Sequence, residues 1–295
     1  DACDGAGACA GGAPVVCGGG GDGQCNSGSS CDPATGACVG GPSPDGTACD
    51  DGDPCTVADS CVAGSCEPGD FDPAACVSSF QCYDAFSWQK PYWWVAPAKI
   101  RIEDRFEAAV FKLGSTTEVC SALSLPAGQI ASRLACVQLQ RASGGDGTRT
   151  LRVSNAFGEQ TLRIGKVKQL CLPAGANSVP AEPGLDAYKC YAAETKARTP
   201  RFVPVSVKLS DEFGSATVDV VAPDMACTPA SVAESGVEHD AVHLVCYRIA
   251  EHRVWGRYPD AFRPRTTTVT SANGRDVVGL FARDHLCVPS AASVP

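Results

Sequence analysis

The chain has one methionine, four histidines and, through residue 89, no lysine or arginine. Without basic residues the N-terminal part cannot neutralise phosphates, which excludes nucleic acid as its partner. No Cys-x-x-Cys occurs among the 19 cysteines. That spacing is what zinc ribbons and thioredoxin-type sites use, and Cys-x-x-Cys-His haem attachment is excluded with it. No apolar run approaches the length of a membrane span. Neither Gly-x-Ser-x-Gly nor His-Glu-x-x-His appears. The signatures of a hydrolase nucleophile and of a helical zinc protease are therefore missing, and the chain reads as a non-enzyme. There is no Asn-x-Ser/Thr glycosylation acceptor.

What is present in excess is cysteine. Eleven lie in residues 1–76 and eight beyond. Cysteine this dense, without metal spacing, reads as a disulfide framework built in an oxidising compartment. The chain begins at Asp1 without an initiator methionine. We therefore expect a secreted, extracellular or cell-surface polypeptide freed of a cleaved signal peptide. Charge is uneven. Residues 1–89 hold twelve Asp and one Glu, and the remainder holds 24 basic against 20 acidic residues. An acidic head and a weakly basic body could associate head to tail, though a solvated acidic face explains the same composition.

The C-terminal 210 or so residues repeat four times. Opening cysteines are Cys82, Cys136, Cys190 and Cys246, and closing cysteines are Cys120, Cys171, Cys227 and Cys287. Sixteen residues before each closer stand Asp104, Asn155, Asp211 and Ser271. Two residues later come Phe106, Phe157, Phe213 and Asn273, and next Glu107, Gly158, Gly214 and Gly274. Apolar residues alternate on both sides, as in Val205-Ser-Val207-Lys-Leu209 and Val218-Asp-Val220. Period-two alternation around an Asx-and-Gly turn signals a β-hairpin. Repetition every 50–60 residues or so means one supersecondary unit used several times. Interchange of carboxylate, amide and hydroxyl at the turn position favours turn hydrogen bonding over acid–base work.

The sequence thus predicts an all-β protein: a small disulfide-rich N-terminal region, then four hairpin-based repeats. Boundaries are expected at 1–24 (Gly-rich extension), 25–80 (disulfide-rich module), 81–183 (repeats one and two) and 184–295 (repeats three and four). Each pair of repeats is expected to form a β-sandwich or barrel-like domain, with the join at Pro180-Ala-Glu-Pro183-Gly184. Opener and closer are expected to bond within a repeat: Cys82–Cys120, Cys136–Cys171, Cys190–Cys227 and Cys246–Cys287. The alternative joins each closer to the next opener, as in Cys120–Cys136. An odd cysteine total leaves at least one without an intrachain partner. Cys3, Cys9 and Cys17, outside the recognisable module, are the candidates for an intermolecular bond. The apolar Ala13-Pro14-Val15-Val16 could add as a strand to a neighbour's sheet edge, or local bridges could tie it down.

Other candidate sites are weaker. Asp50, Asp51, Asp53 and Asp59 crowd one loop and could hold calcium, but the spacing fits no EF-hand and solvated acidic turns look the same; no other cofactor is suggested. His239 and His243 flank Asp240 without a nucleophile or a metal motif, so surface and strand histidines explain them. Trp88, Tyr92, Trp93 and Trp94 surround Pro91 and could stack on a glycan, fill a core or form a subunit contact.

Two resemblances bear on role. Cys49-Asp-Asp-Gly52, Pro54-Cys55-Thr56, Asp59-Ser-Cys61 and Gly64-Ser-Cys66 resemble the cysteine-rich repeats of slime-mould extracellular-matrix proteins, which implies a spacer or matrix role. His243-Leu-Val-Cys246-Tyr247, Leu170-Cys171-Leu-Pro173 and Asp211-Glu-Phe213-Gly214 look like an uncharacterised repeat domain of secreted myxobacterial-type proteins, which implies no catalysis. The expected function is a self-assembling extracellular filament, sheath or matrix subunit whose partners are copies of itself. The alternative is a secreted adhesin or glycan-binding module using Trp88, Trp93 and Trp94.

Overall fold

The structure is a computed structural model that describes residues 2–3, 9–10, 24–31, 38–88, 99–123, 132–141, 147–176, 181 and 184–294. It is nearly all β and divides into two compact units, Asp1–Cys76 and Val77–Pro295.

Among its described residues the first unit has eight short strands: β1 (Ala2–Cys3), β2 (Cys9–Ala10), β3 (Asn26–Cys31), β4 (Cys38–Pro42), β5 (Thr56–Val57), β6 (Ser60–Val62), β7 (Ser65–Glu67) and β8 (Asp70–Phe71). One helical turn, α1 (Pro73–Cys76), follows. The strands pair only in twos: β1–β2, β3–β4, β5–β8 and β6–β7. Bridges stand in for a core. Cys25–Cys61, Cys49–Cys66 and Cys55–Cys76 tie the loops together, and Cys25, Cys55 and Cys61 are among its buried residues. So small a unit could not hold its shape on apolar burial alone. Its β6–β7 hairpin turns through Ala63 and Gly64, both left-handed, as a two-residue primed turn requires.

The second unit has twelve strands, three per repeat. Repeat one gives β9 (Phe80–Ser87), β10 (Lys99–Asp104) and β11 (Ala108–Ala122). Repeat two gives β12 (Arg133–Arg141), β13 (Arg149–Asn155) and β14 (Gly158–Ala176). Repeat three gives β15 (Tyr188–Thr195), β16 (Val205–Asp211) and β17 (Gly214–Val232), and repeat four gives β18 (Val242–Glu251), β19 (Arg265–Ser271) and β20 (Gly274–Ser293). The middle and long strands of each repeat form the hairpin that the alternation predicts. In repeats two to four the tip closes on a glycine with positive φ, at Gly158, Gly214 and Gly274. Repeat one differs. Its ladder ends at Glu103 opposite Ala108, two residues wider, which leaves Glu107 in the tip instead of a glycine.

The long strand of each repeat pairs with its own opening strand and with the opening strand of the next. The order β9-β11-β12-β14-β15-β17-β18-β20 therefore runs antiparallel throughout, and β20 pairs back onto β9. Eight strands close into a ring. The two separate domains expected at 81–183 and 184–295 are replaced by this single unit. Across the expected join, β14 and β15 pair from Leu162 opposite Thr195 to Cys171 opposite Tyr188. The physical reason is edge removal: either half alone would expose two unpaired edges, and closure of all four repeats leaves none in the ring. The N-terminal module likewise ends at Cys76, four residues before the boundary expected at 80.

Hairpins pack on the ring two repeats away. The inner ends of β10, β13 and β19 pair with the ends of β17, β20 and β14. The apolar faces meet in three clusters. One gathers Leu162, Ile164, Val218, Val220, Tyr191 and Tyr247. A second centres on Ile102, Phe111 and Leu170, and a third on Tyr83, Val278 and Leu280.

Candidate functional site

Each opener bonds to the closer of its own repeat: Cys82–Cys120, Cys136–Cys171, Cys190–Cys227 and Cys246–Cys287. The other pairing considered is also close in space. Sulfurs of Cys120 and Cys136 lie 4.0 Å apart, Cys171 and Cys190 3.9 Å, Cys227 and Cys246 3.8 Å, and Cys287 and Cys82 3.6 Å. The eight sulfurs thus form one buried belt around the ring, alternately bonded and touching. Register explains it. The opener and closer of each repeat sit directly opposite one another, and between repeats the register is offset by two, so that Glu118 faces Cys136 and His285 faces Cys82.

Beside the belt lies a polar cluster. Each long strand is irregular just before its closing cysteine, with shifts at Thr116/Glu118, Val167/Gln169, Pro223/Met225 and Arg283/His285. A bulge re-aims side chains. Here it gives every repeat one extra residue beside the position two before the closer: Thr117 beside Glu118, Lys168 beside Gln169, Asp224 beside Met225 and Asp284 beside His285. Glu118 reaches Gln169 Nε2 at 2.6 Å and His285 Nδ1 at 2.7 Å. A whole strand separates Glu118 from each of them. Such contacts are possible only where the side chains converge on the concave face. His285 Nδ1 lies 3.0 Å from Asp284, and its Nε2 lies 3.4 Å from Asp224. Lys168 donates to Asp224 at 2.9 Å. Asp84 lies opposite Glu118 in register. Asp84, Glu118, Lys168, Gln169, Asp284 and His285 line a cavity of about 540 Å³, together with Arg141 and Lys166.

Electrostatics follow from the packing. Burial alone would lower the His285 pKa. Hydrogen bonds to Asp224, Asp284 and Glu118 outweigh it and push the imidazolium up to about 12. Asp224 and Asp284 are both held below the ordinary carboxylate range, each chiefly by its bond to His285. Asp84 is pushed up, first by burial and then by the charges of Asp284 and Glu118.

The residues singled out in the sequence fall elsewhere. Asp50, Asp51 and Asp53 each spend an oxygen on a backbone amide two residues on, at 2.8–2.9 Å. Asp59 accepts from the amides of Asp51 and Gly69. These bonds account for the four acids as organisers of their own loop. His239 lies 3.4 Å from Asp186. His243 is buried and meets Arg105 at 2.7 Å, so the two histidines serve separate contacts. The turn residues accept from the amide two ahead in all four repeats, the turn role read from their interchange.

Trp88 packs edge to face on Phe86, ring centroids 5.7 Å apart, and both are more than half exposed, with Phe281 also exposed nearby. Gly279 lies under them: a Cβ there would sit 2.9 Å from Trp88 Nε1 and 3.0 Å from the Phe281 ring. Tyr92, Trp93 and Trp94 lie outside the described residues, as do Ala13, Pro14, Val15, Val16 and Cys17; Cys3 and Cys9 are described only as backbone, opposite each other in β1 and β2.

Sequence reading missed His285 and its carboxylates. The signal available was the polar pair just before each closing cysteine, interrupting otherwise apolar alternation. No family model, no curated protein and no solved structure matches this chain.

Proposed function

We propose that the protein is an extracellular structural subunit that joins copies of itself through its N-terminal module. Cysteine arithmetic carries this reading. Among the described residues seven bridges use 14 of the 19 cysteines, and the other five are Cys3, Cys9, Cys17, Cys31 and Cys38. Five cannot all pair among themselves, so at least one intermolecular bond or free thiol falls in this segment. The closed ring, with one disulfide inside each repeat, suits a permanent scaffold, and the disulfide density suits an oxidising, extracellular setting. Among the described residues no helix is long and apolar enough to cross a membrane. The resemblance of 49–66 to matrix repeats points the same way.

The test is negative-stain microscopy and light scattering on the full chain and on a chain lacking residues 1–24. Filaments or sheets that vanish with the deletion support the proposal. A monomer in both preparations contradicts it.

A second reading, an adhesin or glycan binder, is favoured by the exposed Phe86–Trp88–Phe281 surface, since aromatic faces stack on sugars. Trp88→Ala should then abolish binding on a glycan array and leave oligomeric state unchanged.

A further inference from the structure

We propose that Glu118, Asp284 and His285, with Asp84 opposite, form a binding site for a divalent transition-metal cation that locks the seam of the ring. The seam is the pairing of β9 with β20, where the first repeat meets the last. Asp84 lies on β9 and Glu118 on β11 of repeat one; Asp284 and His285 lie on β20 of repeat four. A cation held by all of them ties the two ends of the repeat array together.

The ligand atoms already converge. One atom each from Glu118, Asp284 and His285 lies within 4.8 Å of the other two. Glu118 and His285 are more than nine-tenths buried. The supporting shell has the form that metal sites use. A ligating histidine typically donates its other ring N–H to a carboxylate, and ligating carboxylates are themselves hydrogen-bonded. Here Asp224 faces Nε2 of His285 and is held by Lys168, and the amide of Gln169 holds the second oxygen of Glu118.

One imidazole nitrogen among carboxylate oxygens suits Zn²⁺ or Mn²⁺ better than Ca²⁺, which takes oxygen alone. The neighbouring sulfurs are disulfide-bonded and cannot act as thiolate ligands.

The test uses the full chain, stripped with chelator and then titrated with Zn²⁺, Mn²⁺ and Ca²⁺ by calorimetry. One equivalent of Zn²⁺ per chain should bind, with a matching rise in Tm and a weaker or absent response to Ca²⁺. Asp284→Asn and Glu118→Gln should each weaken binding by roughly tenfold or more, while His252→Gln, which pairs with Asp219 and does not line the cavity, leaves it unchanged. Should a variant fail to fold, Co²⁺ added to the wild type decides: visible d–d bands without sulfur charge-transfer support the site. No saturable binding, no Co²⁺ bands, or binding indifferent to both substitutions would overturn it and leave a histidinium held by carboxylates alone.

Discussion

Tyr83, in repeat one, donates its hydroxyl at 2.7 Å to Asp211, in the hairpin tip of repeat three. The same contact recurs in the other direction and once more. Tyr191 of repeat three reaches Asp104 of repeat one at 2.6 Å, and Tyr247 of repeat four meets Asn155 of repeat two at 3.0 Å. The tip phenylalanine stacks edge-on against the same tyrosine each time: Phe213 on Tyr83, Phe106 on Tyr191 and Phe157 on Tyr247. The fourth contact would join repeat two to repeat four. There the tyrosine is Val137, the turn acid is Ser271 and the phenylalanine is Asn273. All three partners change together, which marks the trio as one packing device joining opposite repeats.

Removing the Tyr83 hydroxyl should therefore cost stability. Tyr83→Phe leaves a buried carboxylate oxygen of Asp211 without its donor, which typically costs about 1–3 kcal/mol. Tyr191→Phe should cost less, because Asp104 keeps Thr228 at 2.8 Å and Lys189 at 3.6 Å. Urea denaturation of the two variants ranks them; equal losses would contradict the reading.

Lys189 explains why repeat one departs from the glycine turn. Its ammonium is fully buried, 2.7 Å from Glu107 and 4.6 Å above the Phe111 ring. Glu107 also takes Arg141, at 2.5 Å. Glu107→Gly would restore the repeat consensus yet remove the nearer partner of a buried charge, leaving Lys189 only Asp104 at 3.6 Å. Breaking a buried pair costs about 3–5 kcal/mol, so this substitution toward consensus should destabilise, as a lower denaturation midpoint.

Acid should weaken the fold through His243. Burial, and then the Arg105 charge beside it, lower its pKa from 6.5 to about 4. The unfolded chain therefore takes up the proton first. The contribution is complete above about pH 6.5 and is lost as pH falls toward 4, by about 3 kcal/mol at most. Asp104 offsets part of the Arg105 repulsion. Unfolding free energy measured from pH 4 to 7 should slope less steeply in His243→Gln than in the wild type. Parallel slopes would assign the acid sensitivity to other groups.

Much of this was legible in sequence because it is local. The hairpins announce themselves through period two and through Asp211-Glu-Phe213-Gly214 and its copies, and one repeat length fixes which cysteines share a unit. Ring closure was not legible. The pairing of β20 with β9 joins strands some two hundred residues apart, and nothing in either strand encodes it; two half-sized domains satisfy the same alternation. The polar cluster was hidden for another reason. Strict alternation places Asp284 and His285 on opposite faces, and only the bulge before Cys287 brings them together. The Tyr83–Asp211 contact needed the relation between repeats one and three, which period alone cannot supply.

The aromatic surface makes a separate prediction at Gly279. A side chain there collides with Trp88 and Phe281. Gly279→Val should shift tryptophan fluorescence toward the solvent-exposed wavelength and abolish any glycan binding, with little change in the eight-stranded ring. An unchanged spectrum would show that the rings do not rest on that glycine.

Backbone register narrows the odd cysteine. Cys3 lies opposite Cys9, and Cys31 opposite Cys38. Pairing along those registers leaves Cys17 over. The most direct measurement is therefore electrophoresis of the full chain with and without reductant, for wild type and Cys17→Ser. The account predicts a covalent dimer in the wild type that collapses on reduction to a monomer of 30.3 kDa, and only monomer in Cys17→Ser under both conditions. A wild type that runs as a monomer without reductant would contradict covalent self-association.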